Sequence, residues 1–113
     1  MEENAKLEVL IPREYWKTLI CSGDLPCPRS GHTAVIHNDR FMIVFGGYAD
    51  GVCFNDTYLL DLHTRVWTML DINGLDSSRP SPRCSHGAVI EKDEECMYIF
   101  GGSGAIFGAS NLK

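Results

Sequence analysis

The sequence predicts an all-β protein assembled from small, four-stranded antiparallel sheets. Two observations lead to this fold class: a tandem repeat of about 50 residues, and short strands that are apolar at consecutive positions. No segment shows the 3.6-residue apolar period of an amphipathic helix. The stretch Ala5–Pro12 is the one place where the pattern fits either a short helix or an extended segment.

The repeat is defined by three pairs of matching segments. They are Pro28–Ile36 with Pro82–Ile90, Met42–Gly47 with Met97–Gly102, and Trp16–Leu19 with Trp67–Leu70. The spacing between these anchors changes only inside polar or Pro- and Gly-rich stretches, where surface turns tolerate a change of length. The chain therefore contains tandem copies of one structural unit.

Within one unit the pattern predicts four strands in a row. They are Thr33–His37, Phe41–Phe45, Thr57–Leu62 and Val66–Leu70, with a turn at Asn38-Asp39 and another over residues 61–65. The second strand and its copy, Cys96–Phe100, are apolar throughout, so both of their faces should be covered. A small sheet packed between others like itself is the blade of a β-propeller.

Composition excludes several classes of protein. The 113 residues carry a formal net charge of −5, and 44% of them are hydrophobic and 22% charged, as in ordinary packed domains. Without a run of Lys or Arg, neither nucleic acid nor an anionic membrane surface is an expected partner. Five cysteines at irregular spacing indicate reduced thiols, and the acidic N-terminus is unlike a secretory signal. A cytoplasmic or nuclear location is therefore expected.

The ordered motifs resemble the kelch-repeat family. The resemblance rests on the Pro28–His32 start (PRSGH), the Phe-Gly-Gly end of the second strand, Asn55-Asp56, Tyr58 and Trp67, and it runs from about Trp16 to the end. It implies a propeller, usually of about five to seven such blades. The residues assigned a structural role are Gly46, Gly47, Tyr58, Trp67, Gly101 and Gly102.

The repeats divide the chain into a lead-in over residues 1–14 and kelch repeats over residues 15–113. The repeats comprise the last strand of a preceding blade (15–20), a full blade (about 28–72) and the first half of the next blade (about 82–113). Such a ring is incomplete, and its open blade faces would expose apolar area. We expect a fragment of a longer kelch protein, the alternative being a chain that completes a ring by self-association.

The candidate partner-binding residues lie in the loops between blades. They are Arg29, Ser30, Arg83, Ser85 and Tyr48. The resemblance implies that the Arg and Ser at the start of a repeat bind acidic side chains or a C-terminal carboxylate, which suits the paired donors of a guanidinium. The alternative is that each Arg ties neighbouring blades together through backbone carbonyl oxygens. Cys84 stands where the first repeat has Ser30, so the second copy departs from the pattern.

The expected function is a non-enzymatic module that presents inter-blade loops to a protein or peptide, as a substrate receptor or scaffold. No cofactor, no metal and no catalytic residue are expected, because no His or Cys pair has ligand spacing and the repeat itself explains His32 and His86. The alternative is an oxidase-like, metal-dependent enzyme, since some kelch propellers are enzymes. That chemistry requires a convergent Tyr, Cys and His set, which this sequence does not show.

Overall fold

A computed structural model describes residues 16–70 and 79–104 of the chain. These two stretches contain nine strands and no helix. The strands are β1 Ser22–Gly23, β2 Thr33–His37, β3 Phe41–Phe45, β4 Tyr48–Ala49, β5 Val52–Cys53, β6 Thr57–Asp61, β7 Val66–Leu70, β8 Gly87–Glu91 and β9 Cys96–Phe100. Ala5–Pro12, Tyr15 and most of the 103–110 loop lie outside the described residues.

The first blade is an antiparallel meander of β2, β3, β6 and β7, in that spatial order. Thr33 pairs with Phe45, Phe45 with Thr57, and Thr57 with Leu70, so these four residues mark one end of the blade, called here the upper end. The buried apolar residues Val44, Phe45 and Leu60 lie on the two central strands. This sheet confirms the predicted all-β fold of four-stranded antiparallel blades.

The turns at the opposite, lower end show why the repeats differ in length. Asn38 and Asp39 both have φ near 54°, the left-handed pair of a type I′ turn, and the Arg40 N–H closes this turn by donating to the His37 carbonyl oxygen at 3.1 Å. Asn and Asp tolerate this conformation better than most residues. The matching β8–β9 turn is longer, and its left-handed residue is Glu95. The predicted insertion therefore lies in a surface turn.

The strand expected over residues 15–20 is not formed in the part that the structure describes. Residues 16–20 have no strand pairing, and Trp16 is 92% exposed. A fourth strand pairs with the third strand of its own blade, and the described residues contain no such strand before Ser22. The chain instead reaches the first blade at β1, which pairs parallel with β7 (Ser22 with Val66).

The second blade is represented by the β8–β9 hairpin, which lies beside β2 of the first blade. The prediction that both central strands are covered on two faces holds only for β3, which has no exposed residue. In β9 the exposure alternates, and Tyr98 and Phe100 face solvent. The reason is that one face of the hairpin packs on the first blade, while no described element covers the other. Among the described residues, no helix is long and apolar enough to cross a membrane.

Candidate functional site

Arg29 is bound inside the first blade. Its Nη1 donates to Asp56 Oδ1 at 2.7 Å and to the Gly46 carbonyl oxygen at 3.1 Å, and its Nη2 donates to Asp56 Oδ2 at 3.2 Å. The side chain is only 5% exposed, and its guanidinium lies 4.3 Å from the centre of the Phe54 ring. Burial opposes its charge, but the bond to Asp56 prevails and raises the pKa of Arg29. The loop before β2 is thereby fixed to the segment before β6.

This geometry changes the role expected for Arg29. The paired donors that would receive a partner carboxylate already bind the chain's own carboxylate, Asp56. The alternative role, in which the Arg binds backbone carbonyl oxygens, agrees with the hydrogen bond from Arg29 to Gly46. That bond lies within one blade, however, and does not join two neighbouring blades. A sequence pattern cannot distinguish these roles, because a partner and Asp56 offer the same chemical group.

A second Arg–Asp pair lies at the lower end of β6. Arg40 Nε and Nη2 donate to the two carboxylate oxygens of Asp61 at 3.0 and 2.7 Å. Asp61 Oδ1 also accepts from the backbone N–H groups of His63 and Thr64. The hydrogen bond from Arg40 holds the pKa of Asp61 well below its ordinary value, helped by these N–H groups and opposed by desolvation. Strand β6 is therefore held by a guanidinium at each end.

A groove of about 650 Å³ opens at the upper end of the first blade. Its lining is Cys27, Pro28, Arg29, Ser30, Tyr48, Ala49, Asp50, Val52 and Phe54. Ser30 and Tyr48 exchange two backbone hydrogen bonds of 3.0 and 2.7 Å, which join the loop before β2 to the β4–β5 hairpin. Tyr48 is 42% exposed, and Val52 is also exposed. The groove, called here the Ser30 groove, thus has a firm backbone and open side chains.

Three of the five predicted partner-binding residues line this groove: Arg29, Ser30 and Tyr48. The other two lie at the start of the second blade. Arg83 is 5% exposed and donates to the carbonyl oxygens of Ser81 and Gly101, whereas Ser85 is exposed. Cys84 and Ser103 exchange the same pair of backbone bonds as Ser30 and Tyr48 do. The second blade therefore repeats the backbone of the site, with Cys84 in place of Ser30 and the small Ser103 in place of Tyr48.

Backbone hydrogen bonds make much of the contact between the two blades. Gly47 N–H donates to the Arg83 carbonyl oxygen at 2.9 Å, and Arg83 N–H donates to the Phe54 carbonyl oxygen at 3.1 Å. Ser85 N–H donates to the Gly31 carbonyl oxygen at 2.8 Å. Sequence reasoning missed this junction, because a backbone bond leaves no signature in residue type.

His86 is a second buried side chain at the same junction, beside Arg83. Its Nε2 lies 2.7 Å from Thr33 Oγ1, and its ring meets Phe45 edge-on, with the ring centres 5.4 Å apart. His32 occupies the matching position in the first repeat but is exposed, because no described blade lies against it. Burial, followed by the charge of Arg83, lowers the pKa of His86. The difference in exposure between the two histidines thus reflects the presence of a neighbouring blade beside His86.

We expect the stability of the folded chain to fall as the pH drops below about 6.5, the ordinary pKa of histidine. The unfolded chain then binds a proton at residue 86 that the folded junction disfavours, so protonation favours unfolding. Equilibrium unfolding in urea at pH 7.5 and pH 5.5 measures this loss. His86→Gln should reduce this loss, and His63→Gln, at an exposed histidine in the lower turn, should leave it unchanged. An equal loss of stability in the wild type and both variants would contradict the assignment.

The predicted structural aromatic pair is in contact. Tyr58 and Trp67 meet edge-to-face, with ring centres 6.3 Å apart and planes at 84°. Such a pair stabilises the outer part of the sheet beyond the area it buries. Within residues 16–70 and 79–104, no group of three or more His, Cys, Asp or Glu side chains could hold a metal ion.

A blade of four antiparallel strands, followed by the hairpin of a second copy, defines a repeat protein of the β-propeller class. The KLHDC2/KLHL20/DRC7 Kelch-repeats domain matches residues 4–111 of the chain. The chain therefore belongs to the kelch-repeat family, whose repeats generally mediate protein–protein interaction and are generally not enzymes.

Several curated proteins contain a similar stretch. Acyl-CoA-binding domain-containing protein 5 of Arabidopsis thaliana is 36% identical over 95 residues, which is 84% of this chain and 14% of that protein. Leucine-zipper-like transcriptional regulator 1 homolog of Drosophila melanogaster is 42% identical over 78 residues, 69% of this chain and 8% of that protein. Host cell factor 1 of Rattus norvegicus is 33% identical over 92 residues, which is 77% of this chain and 4% of that protein. The chain spans 14% or less of each of these relatives.

Proposed function

We propose that this chain is a non-enzymatic binding module of a kelch propeller and that the Ser30 groove contacts its protein or peptide partner. The observation that carries this proposal is the combination of an exposed Tyr48 with a backbone fixed by the Ser30–Tyr48 bonds. Tyrosine is enriched at binding hot spots because it supplies a large contact area with few rotatable bonds. A preorganised loop also loses less entropy when it binds.

The partner we propose carries an acidic side chain or a C-terminal carboxylate. Ser30 is an exposed residue of the groove, and its hydroxyl suits such a group as a hydrogen-bond donor. Arg29 contributes as a positioning residue, since Asp56 and Gly46 hold its guanidinium beneath the groove. Ser85 is exposed at the start of the second blade and its N–H bonds to the Gly31 carbonyl oxygen, next to Ser30, so we assign it to the same binding surface, with the buried Arg83 supporting its loop.

In the cell we propose that the module acts as a substrate receptor or scaffold in the cytoplasm or nucleus. Self-association through the open face of β9, where Tyr98 and Phe100 are exposed, is the second candidate role. Light scattering distinguishes the two, because self-association requires a mass that rises with concentration.

Tyr48→Ser is the variant that tests the groove, because serine is the residue at the matching position of the second repeat, Ser103. We expect it to weaken binding to a carboxylate-bearing peptide about tenfold or more, as loss of an exposed tyrosine anchor does. Fluorescence anisotropy with a library of acidic and C-terminal peptides measures the affinity in the full protein. His63→Ala, in the exposed lower turn, is the control. Unchanged affinity for Tyr48→Ser would exclude the groove as the partner site.

A further inference from the structure

Two cysteines from different blades lie side by side at the upper end of the molecule. Cys53 is the last residue of β5 in the first blade, and Cys84 precedes β8 of the second. Their sulfur atoms are 3.8 Å apart. The two residues do not occupy matching positions of the repeat, so their proximity arises from the packing of one blade against the next.

The backbone around both cysteines is fixed by hydrogen bonds. Phe54, which follows Cys53, accepts from the N–H of Arg83, which precedes Cys84, at 3.1 Å. Cys84 itself is bonded to Ser103 in both directions, at 2.8 and 2.9 Å. The two side chains therefore start from anchored positions, and a sulfur–sulfur bond of about 2.05 Å requires their approach by side-chain rotation.

We propose that Cys53 and Cys84 form a reversible disulfide that joins the two blades when the protein meets hydrogen peroxide or a small disulfide such as oxidised glutathione. Both thiols are partly exposed, so an oxidant of this size reaches them. Cys84 replaces the serine that the first repeat carries at position 30, and this replacement supplies the second thiol.

The reaction balances with either oxidant. With peroxide, one sulfur attacks an oxygen, the O–O bond breaks, and a sulfenic acid and one water form. The second sulfur then attacks the sulfenic sulfur, so that the S–S bond forms, the S–O bond breaks and a second water leaves. With glutathione disulfide, two exchange steps release two molecules of glutathione. In each case the two thiols lose two electrons and two protons.

The digestion pattern of the chain makes the test direct. Trypsin is expected to release residues 41–65, whose one cysteine is Cys53, and residues 84–92, whose one cysteine is Cys84. The other cysteines fall on the peptides 18–29 and 93–113. The full chain is treated with peroxide, its free thiols are alkylated, and the digest is analysed by mass spectrometry without reduction.

We expect a linked 41–65/84–92 species, about 2 Da lighter than its two peptides together, to dominate over all other linked pairs and to disappear with dithiothreitol. Cys84→Ser, which restores the serine of the first repeat, should abolish it, and Cys96→Ser, at an exposed thiol, should leave it unchanged. The proposal is overturned if Cys53 stays as alkylatable as in untreated protein, or if links to 18–29 or 93–113 form in comparable amounts. The mass of the linked peptides does not depend on partner binding at the Ser30 groove, so this test can fail or succeed separately from the proposed function.

Discussion

Replacing Arg29 by alanine is expected to lower the free energy of unfolding by about 2–3 kcal/mol. The change leaves the Asp56 carboxylate, only 24% exposed, and the Gly46 carbonyl oxygen without their donor. It also removes the contact of the guanidinium with the Phe54 ring. Urea unfolding followed by tryptophan fluorescence measures the loss.

Arg40→Ala is the matched control for Arg29. Arg40 makes the same two-point contact with an aspartate, but its side chain is 41% exposed, so solvent replaces the lost bonds at small cost. Asp56→Asn in the Arg29→Ala background should recover part of the stability, because it removes the stranded charge. Equal losses of unfolding free energy in Arg29→Ala and Arg40→Ala would contradict the structural role assigned to Arg29.

The second large effect is expected at Gly46, the first glycine of the pair after β3. An added Cβ there would lie 2.7 Å from the Arg83 carbonyl oxygen and 3.0 Å from His86 Cε1, both of the second blade. The position also has φ of 72°, which costs an alanine about 1 kcal/mol. Because the obstacle is backbone, we expect Gly46→Ala to cost about 3–4 kcal/mol in total.

Gly101 allows the backbone strain to be separated from the collision. It holds the matching position in the second repeat with φ of 75°, and a Cβ would meet nothing within 4 Å in the part of the chain that the structure describes. Gly101→Ala should therefore cost about 1 kcal/mol. The difference between the two variants in thermal or urea unfolding isolates the contact between blades. Equal losses would mean that the blades do not pack as described.

Local sequence patterns were sufficient to predict the blade. Consecutive apolar residues located β3, the Asn38-Asp39 pair located the first turn, and the repeat located β8 and β9. These features depend on neighbours within a few residues, where propensity and turn chemistry decide the conformation.

The site was less predictable because its contacts join distant residues. Asp56 lies 27 positions after Arg29, and only the pairing of β3 with β6 brings the two together. His32 and His86 share one motif, yet only His86 is buried, because a neighbouring blade lies against it. No pattern within a single repeat contains that information.

The backbone bonds between the blades have an evolutionary consequence. The N–H groups of Gly47, Arg83 and Ser85 and their carbonyl acceptors hold one blade against the next, and any non-proline residue supplies an N–H and a C=O group. Substitution of an exposed side chain beside them leaves these bonds in place. Natural selection can therefore change the exposed residues of one blade without altering how the blades assemble. If the Ser30 groove binds a partner as we propose, such changes would alter the choice of partner on an unchanged framework.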